Sequence, residues 1–188
     1  MARTLKMVAL GDSLTAGYGV PPGHAFPEVL QKVLRAKGFD VEVINAGVSG
    51  ETAEDGLARF DWSVPEGTDA LIVELGANDM LRGLPVAGAK SALAEILAKA
   101  KAAKIPTLLA GMRAAPNLGP EYQKAFDALY PDLAAKYQVD LYPFFLDGVA
   151  ADPKFVQLDG EHPNAQGVEK IVAAMLPAVE RLLGKVAP

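Results

Sequence analysis

The chain contains no cysteine, one tryptophan and only two histidines in 188 residues. Without cysteine there are no disulfides, no thiolate nucleophiles and no thiolate-bound metals, and the redox compartment stays open. A metal site would have to be assembled from His24, His162 and scattered carboxylates, so none is expected. No apolar run approaches the ~20 residues that cross a bilayer, so no integral membrane contact is expected. The opening "MARTLKMVAL" lacks the apolar core of a secretory signal. Positive charge is also scarce: Lys and Arg number 18 against 23 Asp and Glu, giving a net charge of -5 and a pI near 5.1. A nucleic-acid partner is therefore not expected, since phosphate binding needs clustered cations. Internal repeats, low-complexity runs and interdomain linkers are absent as well. Residues 1–188 read as one domain, long enough to bury a sizeable core.

What is present is alternation. Five apolar runs read as strands: Met7–Leu10, Val41–Ile44, Ala70–Leu75, Thr107–Met112 and Val139–Tyr142. Between them lie stretches of helical spacing. Pro27 suits a first helical turn, with Phe26, Val29, Leu30, Val33 and Leu34 as its apolar stripe and Gly38 as its stop. The segment "ETAEDGLARFDW" allows one short helix. Pro131 is a possible kink, and Pro177 is expected to bend or break the last helix. Strand–helix alternation implies a parallel sheet covered on both faces, because parallel neighbours need crossover connections. The expected fold is α/β: a three-layer α/β/α sandwich around a flavodoxin-like five-stranded parallel sheet, order 2-1-3-4-5.

In such sheets ligands bind outside the carboxyl ends of the strands. Those ends carry "GDSLTAG", "NAGVSGET", "GANDMLRG" and "RAAPNLG", and "LDGEHPN" precedes the final helix. His162 follows Asp159 by three residues, a spacing that lets a carboxylate hold Nδ1–H and leaves Nε2 free to accept a proton. A capped turn with a surface histidine would produce the same string. Of the four serines, Ser63 and Ser91 fall in structural segments. Ser49 follows a strand but equally suits a turn or a helix cap. Ser13, immediately beyond the first strand, is the better nucleophile. Acyl transfer also needs donors for an oxyanion, and Gly50 N–H, the Asn78 amide and Ser13 N–H are the candidates. Asp12 is expected to organise its own loop, and Asp79 to cap the segment after Asn78 or pair with Arg82. Glu74 is expected near the end of its strand with donors beside it. His24 is expected on an exposed loop.

These blocks closely resemble the GDSL, or SGNH, hydrolase family, in order and over nearly the whole chain. "GDSLTAGYG" is similar to its nucleophile block, "NAGVSGET" and "ELGANDMLRG" to its oxyanion blocks, and "DGEHPN" to the block bearing acid and base. "INAGVSGETAEDGLARF" and "YPFF" are closest to the bacterial thioesterase I/lysophospholipase L1/arylesterase branch. The resemblance implies a catalytic triad of Ser13, His162 and Asp159, with Ser13, Gly50 and Asn78 forming the oxyanion hole. It implies a cofactor-free serine hydrolase, a monomer, cleaving carboxylic esters and acyl thioesters; Leu81 and Leu118, apolar loop residues, are placed near the alkyl chain by proximity alone. Many members of the branch are periplasmic, which would require a signal not visible here. The alternative is a non-catalytic nucleotide- or flavin-binding protein of flavodoxin-like fold, with "GDSLTAG" wrapping a phosphate. That loop lacks both the Gly-Lys-Ser/Thr ending and the G-x-G-x-x-G pattern, and the alternative leaves Asp159 and His162 without a role.

Overall fold

The computed structural model describes residues 3–186. Five parallel strands, β1 (Leu5–Gly11), β2 (Val41–Gly47), β3 (Ala70–Glu74), β4 (Thr107–Ala110) and β5 (Asp140–Tyr142), form one sheet in the order β2-β1-β3-β4-β5. The fold and strand order expected from the alternation are those observed. Residues of β1, β3 and β4 from Met7 to Leu10, Ala70 to Val73 and Leu108 to Ala110 are almost wholly inaccessible. That burial explains why these strands read as unbroken apolar runs rather than alternating ones.

Helices cover both faces. On one, α2 (Phe26–Ala36) packs against α8 (Ala165–Leu183). On the other, α6 (Val86–Ala102) packs against α3 (Ala53–Ala58) and α7 (Pro120–Tyr137). Three short helices, α1 (Ser13–Ala16), α4 (Phe60–Ser63) and α5 (Ala77–Leu81), fill the loops.

Several local expectations are corrected. The stretch expected to hold one short helix holds two, α3 and α4, divided at Arg59. Pro177 neither ends nor divides α8, which runs on to Leu183. Pro177 and Ala173, whose carbonyl the ring frees, both face solvent. The helix is held instead by its buried stripe, Ile171, Val172, Met175, Val179 and Leu182. Pro131 likewise sits on an exposed face inside an uninterrupted α7. Strand β2 extends past Ile44 through Asn45 to Gly47, residues that locally favour turns, because the ladder with β1 continues to the pair Gly11–Gly47.

The register aligns the carboxyl ends. Gly11 pairs with both Gly47 and Glu74, Glu74 pairs with Ala110, and Ala110 pairs with Tyr142. The loops that follow these residues therefore leave the sheet from a common edge.

Candidate active site

Strand β1 delivers Ser13 to that edge. The chain turns at Asp12, whose carboxylate Oδ1 accepts from Leu14 N at 3.0 Å and caps α1. Ser13 is thus the first residue of a four-residue helix, half-buried, with the loop closed by Gly17 in the left-handed region at φ 85°. At Gly47 no side chain fits: a Cβ would lie 2.2 Å from the backbone nitrogen of Ala16. The helix that Ser13 begins thus rests directly on the end of β2.

From the other end of the sequence comes the loop before α8. Asn164 caps α8 by accepting from Gly167 N, and its amide donates to the carbonyls of Lys154 and Val156. A single antiparallel bridge, Val156–Pro163, closes the loop. Within it, Asp159 Oδ1 accepts from the backbone N–H of Glu161 and of His162, and Oδ2 lies 2.7 Å from His162 Nδ1. The two backbone donors, with the imidazole, hold the Asp159 carboxyl down at about 2. An anionic partner at Nδ1 places the ring proton there, so Nε2 accepts. Its donor is Ser13 Oγ, at 2.9 Å. A serine and a histidine 149 residues apart are therefore in direct contact.

Tyr18 lies against the imidazole, ring centroids 4.6 Å apart. Gln157 ties the two loops, its amide donating to the carbonyls of Tyr18 and Pro163 while its own N–H donates to His162 O. Neither residue was legible as part of the site, because their contacts cross between opposite ends of the chain.

Asn78, in α5, donates from Nδ2 to Glu51 O at 2.8 Å and to Asp12 Oδ2 at 3.2 Å. Gly50 precedes Glu51 in the turn after β2, with φ 85°, and Arg82 donates to its carbonyl. Ser49 lies in the same turn, and it is Ser13 rather than Ser49 that meets the imidazole. Asp79 is corrected. It neither caps its own segment nor pairs with Arg82, but accepts from Ala53 N at 2.9 Å and so pins the start of α3. Glu74 closes β3 as expected, fully buried and accepting from Thr15 Oγ1 at 2.8 Å. His24 is half-buried rather than exposed, with Nδ1 shielded from solvent.

A cavity of about 300 Å³ opens beside Ser13 and His162. Its walls are mainly apolar, including Met80, Leu81, Met112 and Leu146. Leu81 is thus among the residues that line it. Leu118, in the 3-10 turn Pro116–Leu118, packs on the core and is not among the lining residues. No cluster of three or more His, Asp or Glu suited to a metal occurs among the described residues, and no described helix is long and apolar enough to cross a membrane.

This arrangement can deprotonate a hydroxyl and present it to an acyl carbon. Comparison with known proteins agrees. Residues 9–170 match the GDSL-like lipase/acylhydrolase family. The chain is 39% identical over 183 residues to esterase TesA of Pseudomonas aeruginosa, covering 97% of this chain and 90% of that protein. It is 40% identical over 159 residues to thioesterase 1/protease 1/lysophospholipase L1 of Escherichia coli K12, covering 84% of this chain and 75% of the other. The crystal structure of AlinE4, an SGNH-hydrolase family esterase, superposes with a TM-score of 0.82 at 47% identity, over 97% of this chain and 98% of that one.

Proposed function

The chain belongs to the GDSL-like lipase/acylhydrolase family of SGNH ester hydrolases, and from that premise we propose that Ser13, His162 and Asp159 perform a two-step acyl transfer on carboxylic esters and acyl thioesters. The observation that carries the reading is the continuous contact Asp159 Oδ2–His162 Nδ1 and His162 Nε2–Ser13 Oγ, at 2.7 and 2.9 Å.

Ser13 Oγ attacks the acyl carbon while its proton passes to His162 Nε2. The carbonyl electron pair moves onto oxygen, and the resulting oxyanion is met by the Ser13 and Gly50 N–H groups and by the Asn78 amide hydrogen that leaves its longer, 3.2 Å contact with Asp12 Oδ2. Collapse restores the carbonyl and breaks the bond to the alkoxide or thiolate, which takes the proton from His162. Water, giving a proton to the same nitrogen, then hydrolyses the acyl-enzyme and regenerates Ser13. Asp159 holds the imidazole in one tautomer and stabilises the imidazolium formed in both steps. The apolar cavity beside Ser13 suits an alkyl chain, with Leu81 against it. Nucleotide or flavin binding gains no support, since the loop that would have cradled phosphate holds a serine bonded to a histidine.

A fluorophosphonate should label Ser13 stoichiometrically, as read by mass spectrometry of the modified peptide. Ser13→Ala should lose at least about 10³-fold in kcat on aryl esters and acyl-CoAs of graded chain length, any residue of activity reflecting binding and oxyanion donors alone. Equal turnover by variant and wild type would remove Ser13 from the reaction.

A further inference from the structure

Arg59, between α3 and α4, lies nine residues beyond Gly50, and its guanidinium reaches the ends of both β1 and β2 and the turn that follows β2. Nη2 donates to Gly11 O at 3.0 Å and to Ala46 O at 2.9 Å, the ends of β1 and β2. Nη1 donates to Ser63 Oγ at 2.8 Å, and Nε donates to the Glu51 carboxylate. The side chain is only 19% exposed and its partner carboxylate 18%. Four of its five N–H groups are thus engaged in one fixed fork.

Two of these partners, Gly11 and Glu51, lead to reacting groups. Gly11 is two residues before Ser13, and its carbonyl also accepts from Val48 N in the turn that leads to Gly50. Glu51 follows Gly50 directly, and its own carbonyl accepts from Asn78 Nδ2 at 2.8 Å. We propose that Arg59 is a positioning residue that sets the nucleophile's strand end and the Gly50–Glu51 turn relative to one another, and through Glu51 O fixes the Asn78 amide. This rests on the oxyanion role proposed above for Gly50 and Asn78.

Position, not charge, is what Arg59 supplies. Its charge is neutralised by Glu51 at the point of contact, so little net field reaches a developing oxyanion. The planar fork, by contrast, spans acceptors from β1, β2 and the turn at once. An ammonium is a single point with rotating donors and cannot reproduce that span. Displacing the donors by a fraction of an ångström weakens contacts that matter most in the transition state.

The test compares Arg59→Met, Arg59→Lys, Glu51→Ala and Asn78→Ala in the full chain, with kcat and KM on an aryl ester and thermal melts for each. Arg59→Met is expected to lower kcat about 10–100-fold with KM changed by less than about threefold. Arg59→Lys should fail to restore the rate. Combined with Asn78→Ala, Arg59→Met should cost less than it does alone, because one of the groups it positions is gone. Should Arg59→Met not fold, Glu51→Ala breaks the link to the turn while leaving the bonds to Gly11 and Ala46, and is expected to slow kcat in the same sense. Full kcat in folded Arg59→Met or in Glu51→Ala, full rescue by lysine, or additive losses with Asn78→Ala would each overturn the proposal while leaving the oxyanion assignment standing. Undiminished turnover by Asn78→Ala alone would instead remove the Asn78 assignment, and this proposal with it.

Discussion

Two buried carboxylates, Asp12 and Glu74, back the turn that carries Ser13. Burial, and then the charge of Asp12, push the Glu74 carboxyl well above its ordinary value. Asp12 is pushed up by burial from 3.8 to about 6, its hydrogen bond from Leu14 opposing part of the rise. The folded state therefore holds the Asp12 proton more tightly than the unfolded chain does. That preference adds stability fully below 3.8 and is lost as pH climbs through about 6. Asp12→Asn keeps an oxygen to accept from Leu14 N but never ionises. Relative to wild type its melting temperature should accordingly rise between about pH 4 and about pH 8, measured by circular dichroism at both. A gap that stayed constant across that range would mean Asp12 titrates normally. The sequence made Asp12 legible as an organiser of its own loop, since an aspartate beside a turn finds backbone donors locally. Its second partner, Asn78, was not legible, because the two meet only across neighbouring strands.

Among the elements, α8 shows how tertiary burial overrides a local breaker. A proline in a helix interior loses one backbone hydrogen bond and crowds the carbonyl four residues earlier. In α8 that site faces water, and the buried stripe on either side keeps the helix intact. Pro177→Ala should therefore restore the missing bond without disturbing packing, stabilising the protein by about 1–3 kcal/mol in urea unfolding. A variant no more stable than wild type would show that solvent already satisfies the freed carbonyl. The existence and type of this helix were plain from its apolar spacing, as were the five strands from their continuous hydrophobicity. Its passage through Pro177, the division of the α3–α4 segment and the extension of β2 to Gly47 were not. All three depend on what the neighbouring layer or strand contributes.

For the whole molecule, the decisive fact is that the two ends of the chain must meet. Ser13 rests on the sheet's buried interior strand, whereas His162 is carried by an irregular loop whose apolar residues are only partly covered and whose Leu158 is wholly exposed. Loops with few buried apolar contacts open at lower free energy than the core. Hydrolytic activity should consequently fall at a lower urea concentration than the far-UV circular dichroism of the sheet and helices. Coincident midpoints would show that the His162 loop is as stable as the core. The sequence by itself determined the strand–helix alternation and the edge at which polar residues gather, and its spacing brought Asp159 within reach of His162, because each follows from period or spacing along a short stretch of backbone. Only the tertiary structure decided that Ser13 lies within hydrogen-bond distance of that histidine, that Leu81 and not Leu118 lines the cavity, and that Arg59 joins the ends of β1 and β2 to the Gly50–Glu51 turn. Those outcomes depend on distances across the sheet and between layers, which no local spacing encodes.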